Sequence, residues 1–180
     1  MKVRRPRGLL LALIGSLALA APAGAGAAQS DEALANALVK EIGQHRAHTW
    51  HRQRVMGIRR TRTTFLERRV GSLDVLRQLR DTWQARAVRA RKRLIRPPHR
   101  AAWLCIHRHE GSWKDPNAPY YGGLQMDITF QRTYGRYLLR RKGTANRWTP
   151  AEQMWTAEKA LRAGRGFHPW PNTARRCGLL

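Results

Sequence analysis

Two consecutive prolines, Pro97 and Pro98, stand near the middle of the chain and restrict every fold that it can adopt. Proline supplies no backbone N–H, and the residue before a proline avoids helical backbone angles. A helix that arrives at this point must therefore end. The segment from Asp31 to Arg96 is polar, dense in arginine and poor in glycine and proline, which predicts a mostly helical structure before the break.

The first thirty residues have the pattern of a cleavable signal peptide. Four basic residues come first, and the apolar run Leu9–Ala20 that follows is too short to span a bilayer comfortably. Two A-x-A triplets then occupy residues 23–25 and 25–27. We expect residues 1–28 to be removed on export, with a membrane anchor as the alternative. We expect no membrane span after cleavage, since no later stretch is apolar for ~18 residues.

Export determines how the two cysteines, Cys105 and Cys177, are interpreted. Outside the cytoplasm, an even pair of cysteines favours a disulfide. This bridge would close most of the C-terminal half of the chain and stabilise it by roughly 4 kcal/mol. A catalytic thiol is the alternative.

The net charge of +24 indicates an anionic partner. Nucleic acid would be expected for a cytosolic chain of this charge. An exported chain first meets wall phosphates, carboxylates of peptidoglycan and anionic lipid headgroups. We therefore expect anionic wall polymers, and no nucleic acid, to be the partner of the arginine-rich segment.

The first half of the chain predicts two helices of different clarity. Asp31 to Ile42 is a short amphipathic candidate that Gly43 would end, and the pattern over residues 46–70 is weak. Ser72 is a good N-cap, and Asp74 suits the first turn of the helix that follows. Its apolar residues recur at spacings of three and four: Leu76, Leu79, Trp83, Ala87, Ala90 and Leu94. The opposite face carries arginines, which are either solvated or bind the anionic cell wall: Arg77, Arg80, Arg86, Arg89, Arg93 and Arg96.

The second half predicts short helices joined by irregular segments. A helix from Arg100 to His109 would bury one side, formed by Ala101, Ala102, Leu104, Cys105 and Ile106. A loop runs from Trp113 to Tyr121, Gly122 and Gly123 allow a tight turn, and residues 124–126 form a short strand or lead into the next helix. That helix would span Ile128 to Arg141. Thr149, Pro150 and Glu152 form a capping box for a helix that Gly164 would stop, before an irregular aromatic tail at residues 167–171.

Glu110 is the strongest candidate for chemistry. It ends a helix with an apolar side, and Trp113 follows three residues later. Partial burial of this kind favours the protonated form of a carboxyl group, which a general acid needs to protonate a glycosidic oxygen. The alternative is an ordinary surface charge at a helix end.

The segment Trp103-x-Cys105-x4-Glu110-Gly111, followed by Tyr121-Gly-Gly-Leu-Gln125, resembles the active-site core of the lysozyme superfamily. Within it, the chain is most similar to the resuscitation-promoting factors, a group of secreted proteins that cleave peptidoglycan. Their YYGGLQF-[DT] stretch resembles residues 120–127, their [ST]-x-x-E-Q helix start resembles residues 149–153, and their terminal W-P…C resembles Trp170-Pro171…Cys177. The resemblance covers about residues 100–180.

The resemblance implies a set of site residues. Glu110 would be the catalytic acid, and Gln125 would hydrogen-bond an N-acetyl group. Four aromatic residues would contact sugar, with core packing as the alternative for the tryptophans: Trp113, Tyr120, Tyr121 and Trp170. The cysteine lies five residues before Glu110, as in c-type lysozymes, whereas in resuscitation-promoting factors it directly precedes the acid.

The second carboxylate differs from the c-type lysozymes, because Tyr120 stands where they carry an aspartate. Asp127 is the best remaining candidate, with Asp115 behind it. The alternative role of Asp127 is to cap the helix that starts at Ile128. A single acid would suffice if the N-acetyl group or the muramic 6-hydroxyl of the substrate completes the reaction, so both hydrolysis and transglycosylation stay open.

No metal or cofactor is expected. His107 and His109 are two residues apart, which places them on different helix faces, and no HExxH-type pattern is present. His45, His48 and His51 recur every third residue, as a solvated or packed helix face would.

We therefore predict a mainly α fold with minimal β structure. Residues 1–28 would be the signal peptide, residues 29–98 a basic helical segment and residues 99–180 a lysozyme-like domain. The protein would be a secreted, wall-associated enzyme that cleaves glycan strands of peptidoglycan. The alternatives are a non-catalytic wall-binding or signalling module on the same scaffold, and a cationic protein that binds nucleic acid or membranes.

Overall fold

The computed structural model describes residues 23–65, 67 and 72–180. Within them the chain is mainly helical, as predicted, and its strands form one two-stranded sheet. Residues 1–22 of the predicted leader lie outside the described residues. Of the helices in the described ranges, none has both the length and the apolar character that crossing a membrane requires. The helices and strands have these bounds: α1 Ala23–Met56, α2 Leu73–Leu94, α3 Arg100–Glu110, β1 Tyr120–Tyr121, β2 Met126–Asp127, α4 Ile128–Tyr134, α5 Arg136–Lys142, α6 Pro150–Ala160 and α7 Pro171–Arg176.

α1 corrects the prediction that Gly43 ends the first helix. The helix continues through this glycine to Met56. A glycine inside a helix costs about 1 kcal/mol relative to alanine, and packing against α2 offsets this cost. Leu38 and Ile42 of α1 are buried with Leu76 and Trp83 of α2 in one apolar cluster.

α2 forms as the sequence predicts. Ser72 is its N-cap, and its hydroxyl accepts a hydrogen bond from the backbone N–H of Val75 (3.4 Å). The predicted apolar face is buried at Leu76, Trp83, Ala87 and Ala90. The helix ends at Leu94, ahead of the two prolines.

α3 also forms, and of its predicted buried side Ile106 is buried, Ala102, Leu104 and Cys105 are half-buried, and Ala101 is exposed. Trp103 and Ile106 are fully buried. The indole Nε1 of Trp103 donates a hydrogen bond to the buried Oε1 of Glu158 (2.7 Å). The fully buried part of α3 thus centres on Trp103 and Ile106.

The predicted helix from Ile128 to Arg141 is broken at Gly135 into α4 and α5. The ring of Trp148 occupies the space beside this glycine, where a Cβ atom would collide with Cη2 of the tryptophan. The close approach of this ring accounts for a glycine at the junction of the two helices.

α6 lies at the centre of the C-terminal half. Its start is the predicted capping box, with Thr149 as N-cap, and residues 152–158 are all buried. A helix buried on all sides belongs to the middle of a core. Glu152 is tolerated there because the ammonium of Lys142 donates to both of its carboxylate oxygens (2.7 Å each). After α6 a π-helical turn, Leu161–Arg165, contains Gly164 with φ 83°.

The end of α1 contributes to the same core as the C-terminal helices. Val55 and Met56 are fully buried in the cluster that contains Trp103, Leu124 and Trp155. The guanidinium of Arg162 also donates to the carbonyl oxygen of Met56 (2.7 Å). The basic segment is therefore packed against the C-terminal half along this contact.

Candidate functional site

Glu110 is placed by the end of α3. Gly111 takes a φ of 142°, which stops the helix, and its backbone N–H donates to the carbonyl oxygen of His107 (3.2 Å). On the side of α3 toward the core, Trp103 and Ile106 fix the orientation of the helix. The Glu110 side chain is half-buried at this end.

Thr173 holds the carboxyl group of Glu110. Its hydroxyl donates a hydrogen bond of 2.7 Å to Oε1 of Glu110. Thr173 is 8% exposed and lies in α7, a short helix that the sequence analysis does not predict and that begins with Pro171 at its first turn. The contact therefore joins two segments that are 63 residues apart in sequence.

The predicted disulfide is confirmed and fixes α7 against α3. Cys105 and Cys177 are bridged with their Cα atoms 6.0 Å apart. Thr173 lies about one helical turn before Cys177, and Glu110 lies somewhat more than one turn after Cys105. The bridge thus places Thr173 beside Glu110. The sequence analysis misses this threonine, because α7 is not predicted and the predicted bridge alone does not fix which residues near Cys177 face Glu110.

A groove of about 210 Å³ opens beside Glu110. Glu110, Tyr120 and Gln125 form one side of its lining. The residues around the start of α7 form the rest: Pro169, Trp170, Pro171 and Asn172. Four residues that the sequence analysis selects, Glu110, Tyr120, Gln125 and Trp170, thus meet at one groove. Tyr120 is 50% exposed and Trp170 is 4% exposed, so the tyrosine presents more surface to a ligand.

Gln125 occupies a strained backbone position next to the groove. Its φ is 46°, in the left-handed region that costs a non-glycine residue about 1 kcal/mol or more. Its Nε2 donates to Oδ2 of Asp115 (2.8 Å) and to the carbonyl oxygen of Gly122 (3.1 Å). With its amide hydrogens used in this way, the remaining polar atom of the side chain is the acceptor Oε1.

Asp115 is the other candidate for the second catalytic carboxylate, and both of its carboxylate oxygens are hydrogen-bonded within the loop. Its Oδ1 accepts from the backbone N–H and the side-chain amide of Asn117 (3.1 and 2.6 Å), and its Oδ2 accepts from Gln125. The backbone N–H of Asn117, followed by the Gln125 amide, lowers the pKa of Asp115. Asp115 is therefore ionised, and it orients the side chain of Gln125.

Asp127 takes the alternative role that the sequence predicts for it, as a helix cap. It is the N-cap of α4, and its Oδ1 accepts from the backbone N–H of Phe130 (2.7 Å). Its backbone pairs with Tyr120 across the β1–β2 ladder. The lining of the groove includes Tyr120 and does not include Asp127.

Three other aromatic candidates belong mainly to the core. Trp113 stacks on the imidazole of His107 with ring centroids 3.9 Å apart, and Tyr121 packs against the main core cluster. The ring of Trp170 contacts Trp103, and its Nε1 donates to the carbonyl oxygen of Leu124 (2.6 Å). Trp170 therefore forms a wall of the groove while it is anchored from behind.

The Gly122-Gly123 turn is required by its neighbours. A Cβ atom at Gly122 would lie 2.6 Å from Oε1 of the buried Gln153, and one at Gly123 would lie 2.5 Å from Nδ1 of His107. Gly122 also has a φ of 73°. Close packing at this turn holds β1 and β2, and hence Tyr120, against the end of α3.

One group of potential metal ligands occurs among the described residues. Side-chain ligand atoms of Cys105, His109 and Cys177 lie within 4.8 Å of one another. The two sulfur atoms are joined in the disulfide, so neither is a thiolate that can bind a metal ion.

Comparison with known proteins returned no match to a family model, a curated protein or a solved structure.

Proposed function

We propose that the protein is a secreted enzyme with a lysozyme-like catalytic domain that cleaves glycan strands of peptidoglycan, with Glu110 as its general acid. One observation carries the proposal. The half-buried carboxyl of Glu110 borders a groove that is also lined by Tyr120, Gln125 and Trp170, which are three of the residues that the resemblance implies for sugar binding.

The proposed reaction begins with transfer of the Glu110 proton to the glycosidic oxygen. The bond between the sugar C1 and that oxygen breaks, and positive charge develops on the ring. Water, or the 6-hydroxyl of the same muramic residue, then attacks C1 and returns a proton to the Glu110 carboxylate. Attack by water gives a reducing end, and attack by the 6-hydroxyl gives a 1,6-anhydro end.

A single protein acid suits this groove better than a pair of carboxylates. A retaining mechanism with a protein nucleophile requires a second carboxylate about 5–5.5 Å from the acid. Asp127 is engaged as the cap of α4, and Asp115 is engaged by Asn117 and Gln125. The proposal therefore assigns the second step to groups of the substrate or to water.

The experiment compares the full chain with its Glu110→Gln variant on purified sacculi. Glutamine keeps the size of the side chain and removes the acidic proton, so we expect release of muropeptides to fall by at least about 100-fold, in line with general-acid catalysis. Equal release by both proteins would remove Glu110 from the mechanism, and no release above background by either protein would favour the non-catalytic wall-binding module.

Asp127→Asn separates the two carboxylates in the same assay. Asparagine is also a good N-cap, so α4 is retained while the carboxylate is lost. We expect cleavage to continue in this variant. Loss of cleavage as severe as in Glu110→Gln would instead identify Asp127 as the nucleophile, and mass spectrometry of the products would show whether their ends are reducing or 1,6-anhydro.

A further inference from the structure

A pocket of about 540 Å³ lies between the end of α1 and α5, away from the Glu110 groove. It is lined by four arginines and one aromatic residue: Arg54, Arg136, Tyr137, Arg140 and Arg141. The pocket lies outside the arginine face of α2 and shares no lining residue with the groove. It is therefore a separate feature of the surface.

Tyr137 contacts two of the four arginines, Arg54 and Arg141. Its hydroxyl is hydrogen-bonded to Nδ1 of His51 (2.7 Å), which ties the ring to α1. The guanidinium carbon of Arg54 lies 4.7 Å from the ring centroid, and that of Arg141 lies 5.6 Å from it. These cation–π distances keep positive charge from α1 and from α5 at the same pocket.

The positive charge of the pocket is not balanced by acidic side chains. Within the described part of the chain, no carboxylate oxygen lies within 4.0 Å of the guanidinium nitrogens of these four arginines. The nearby carboxylate of Glu152 is bound by Lys142 instead. All four arginines are exposed. Clustered like charges repel one another, and a bound anion relieves that repulsion.

The chemistry of the pocket suits phosphate. Each guanidinium presents a planar fork of N–H donors that matches two phosphate oxygens, and several forks in one concave site can share a single anionic group. Nucleobases would require an open aromatic face on which to stack. The single ring here is already contacted by two guanidinium groups and bonded through its hydroxyl.

We propose that this pocket binds phosphate groups of a phosphodiester polymer without bases, of the glycerol phosphate type found on cell surfaces. The disulfide between Cys105 and Cys177 agrees with a compartment outside the cytoplasm, where such polymers occur. Binding at this pocket would hold the protein on its surface while the Glu110 groove remains open to a second ligand.

The test measures binding of the full chain to a soluble glycerol phosphate polymer by calorimetry at several salt concentrations. The variant Arg140→Gln/Arg141→Gln removes two charges from the last turn of α5. The matched control Arg175→Gln/Arg176→Gln removes two adjacent exposed charges from the last turn of α7. Net charge is thus the same in the two variants, and circular dichroism verifies that both are folded.

We expect the α5 variant to raise Kd about tenfold or more and the α7 control to raise it by no more than about twofold. The slope of log K against log salt should fall by about 1.5 in the α5 variant, as expected for the loss of two phosphate contacts. The single variant Arg136→Gln, at the other end of α5, should also weaken binding beyond the control.

Equal losses in the α5 variant and the α7 control would overturn the proposal, because net charge alone would then explain binding. Tighter pocket-dependent binding to oligothymidylate or to phosphatidylglycerol vesicles than to the polymer would overturn the assigned ligand in favour of nucleic acid or lipid. Binding requires no glycan cleavage, so the result does not depend on whether Glu110 is catalytic.

Discussion

The hydroxyl of Thr173 restricts how the carboxyl group of Glu110 can turn. It approaches from α7, so the acid is held between two helices that only the folded chain brings together. A catalytic group that is oriented before the substrate arrives loses less entropy in the transition state. We therefore assign Thr173 as a positioning residue of the proposed enzyme.

Replacing Thr173 with valine, which has nearly the same shape, should lower kcat for sacculus cleavage about tenfold, equivalent to about 1.4 kcal/mol. KM should change little, because the substrate does not need the hydroxyl in order to bind. The measurement is steady-state release of muropeptides. Thr173→Ser keeps the hydroxyl and should restore most of kcat, whereas equal loss in both variants would indicate a packing role.

Lys159 makes a pH-dependent contribution to stability. Burial, with a further contribution from the Arg162 guanidinium, lowers the pKa of Lys159 from 10.5 to about 8. Between these values the unfolded chain binds more protons than the folded chain, so stability rises with pH across this window. Below pH 8 the full penalty of burying the charged ammonium is present.

Lys159→Met removes this penalty. We expect urea unfolding to show the variant more stable than the parent by up to about 3 kcal/mol at neutral pH, beyond any constant packing difference. The advantage should shrink as the pH rises from about 8 toward 10.5. A difference between the two proteins that stays constant over this range would contradict the assignment.

Part of the lining of the groove follows from motifs in the sequence. Glu110, Tyr120, Gln125 and Trp170 are recognised by a pattern of types and spacings, and they line one groove. Thr173 gives no such signal, because its role depends on a bond across 63 residues of sequence. Trp113 matches the pattern equally well, but its ring stacks on the imidazole of His107 and packs against the core.

Among the elements, helix starts with a side-chain cap follow from the sequence more reliably than helix interiors. Ser72 and Thr149 cap α2 and α6 through bonds within one turn, so local sequence is sufficient. Gly43 and Gly135 have similar local signals and opposite outcomes. The first lies inside α1, which packing against α2 stabilises, and the second separates α4 from α5, because Trp148 fills the space beside it.

These two glycines allow a paired test by thermal or chemical unfolding. A Cβ at Gly43 would have no neighbour within 4 Å, so Gly43→Ala should stabilise the protein by about 0.5–1 kcal/mol through higher helix propensity. A Cβ at Gly135 would collide with the ring of Trp148, so Gly135→Ala should destabilise it by about 1–3 kcal/mol. Changes of the same sign in the two variants would contradict this account.

Over the whole molecule, the disulfide restrains a loop of 72 residues that includes both walls of the groove. Removing it with Cys105→Ser/Cys177→Ser should lower the free energy of unfolding by roughly 4 kcal/mol, since the unfolded chain then regains the freedom of that loop. Guanidinium unfolding of the variant and of the reduced parent protein should give similar midpoints. An unchanged free energy of unfolding in the variant would show that the bridge is not needed for stability.

Val55 and Met56 have a consequence for any attempt to work with the C-terminal half alone. Their side chains complete the interior that Trp103, Leu124 and Trp155 begin. A fragment that starts at residue 99 would carry an unfilled apolar socket on its surface, open to water or to another chain. The end of α1 therefore fills that socket. Truncating α1 from its N-terminal end would keep Val55 and Met56 in the core, whereas cutting the chain at Pro97 and Pro98 would remove them.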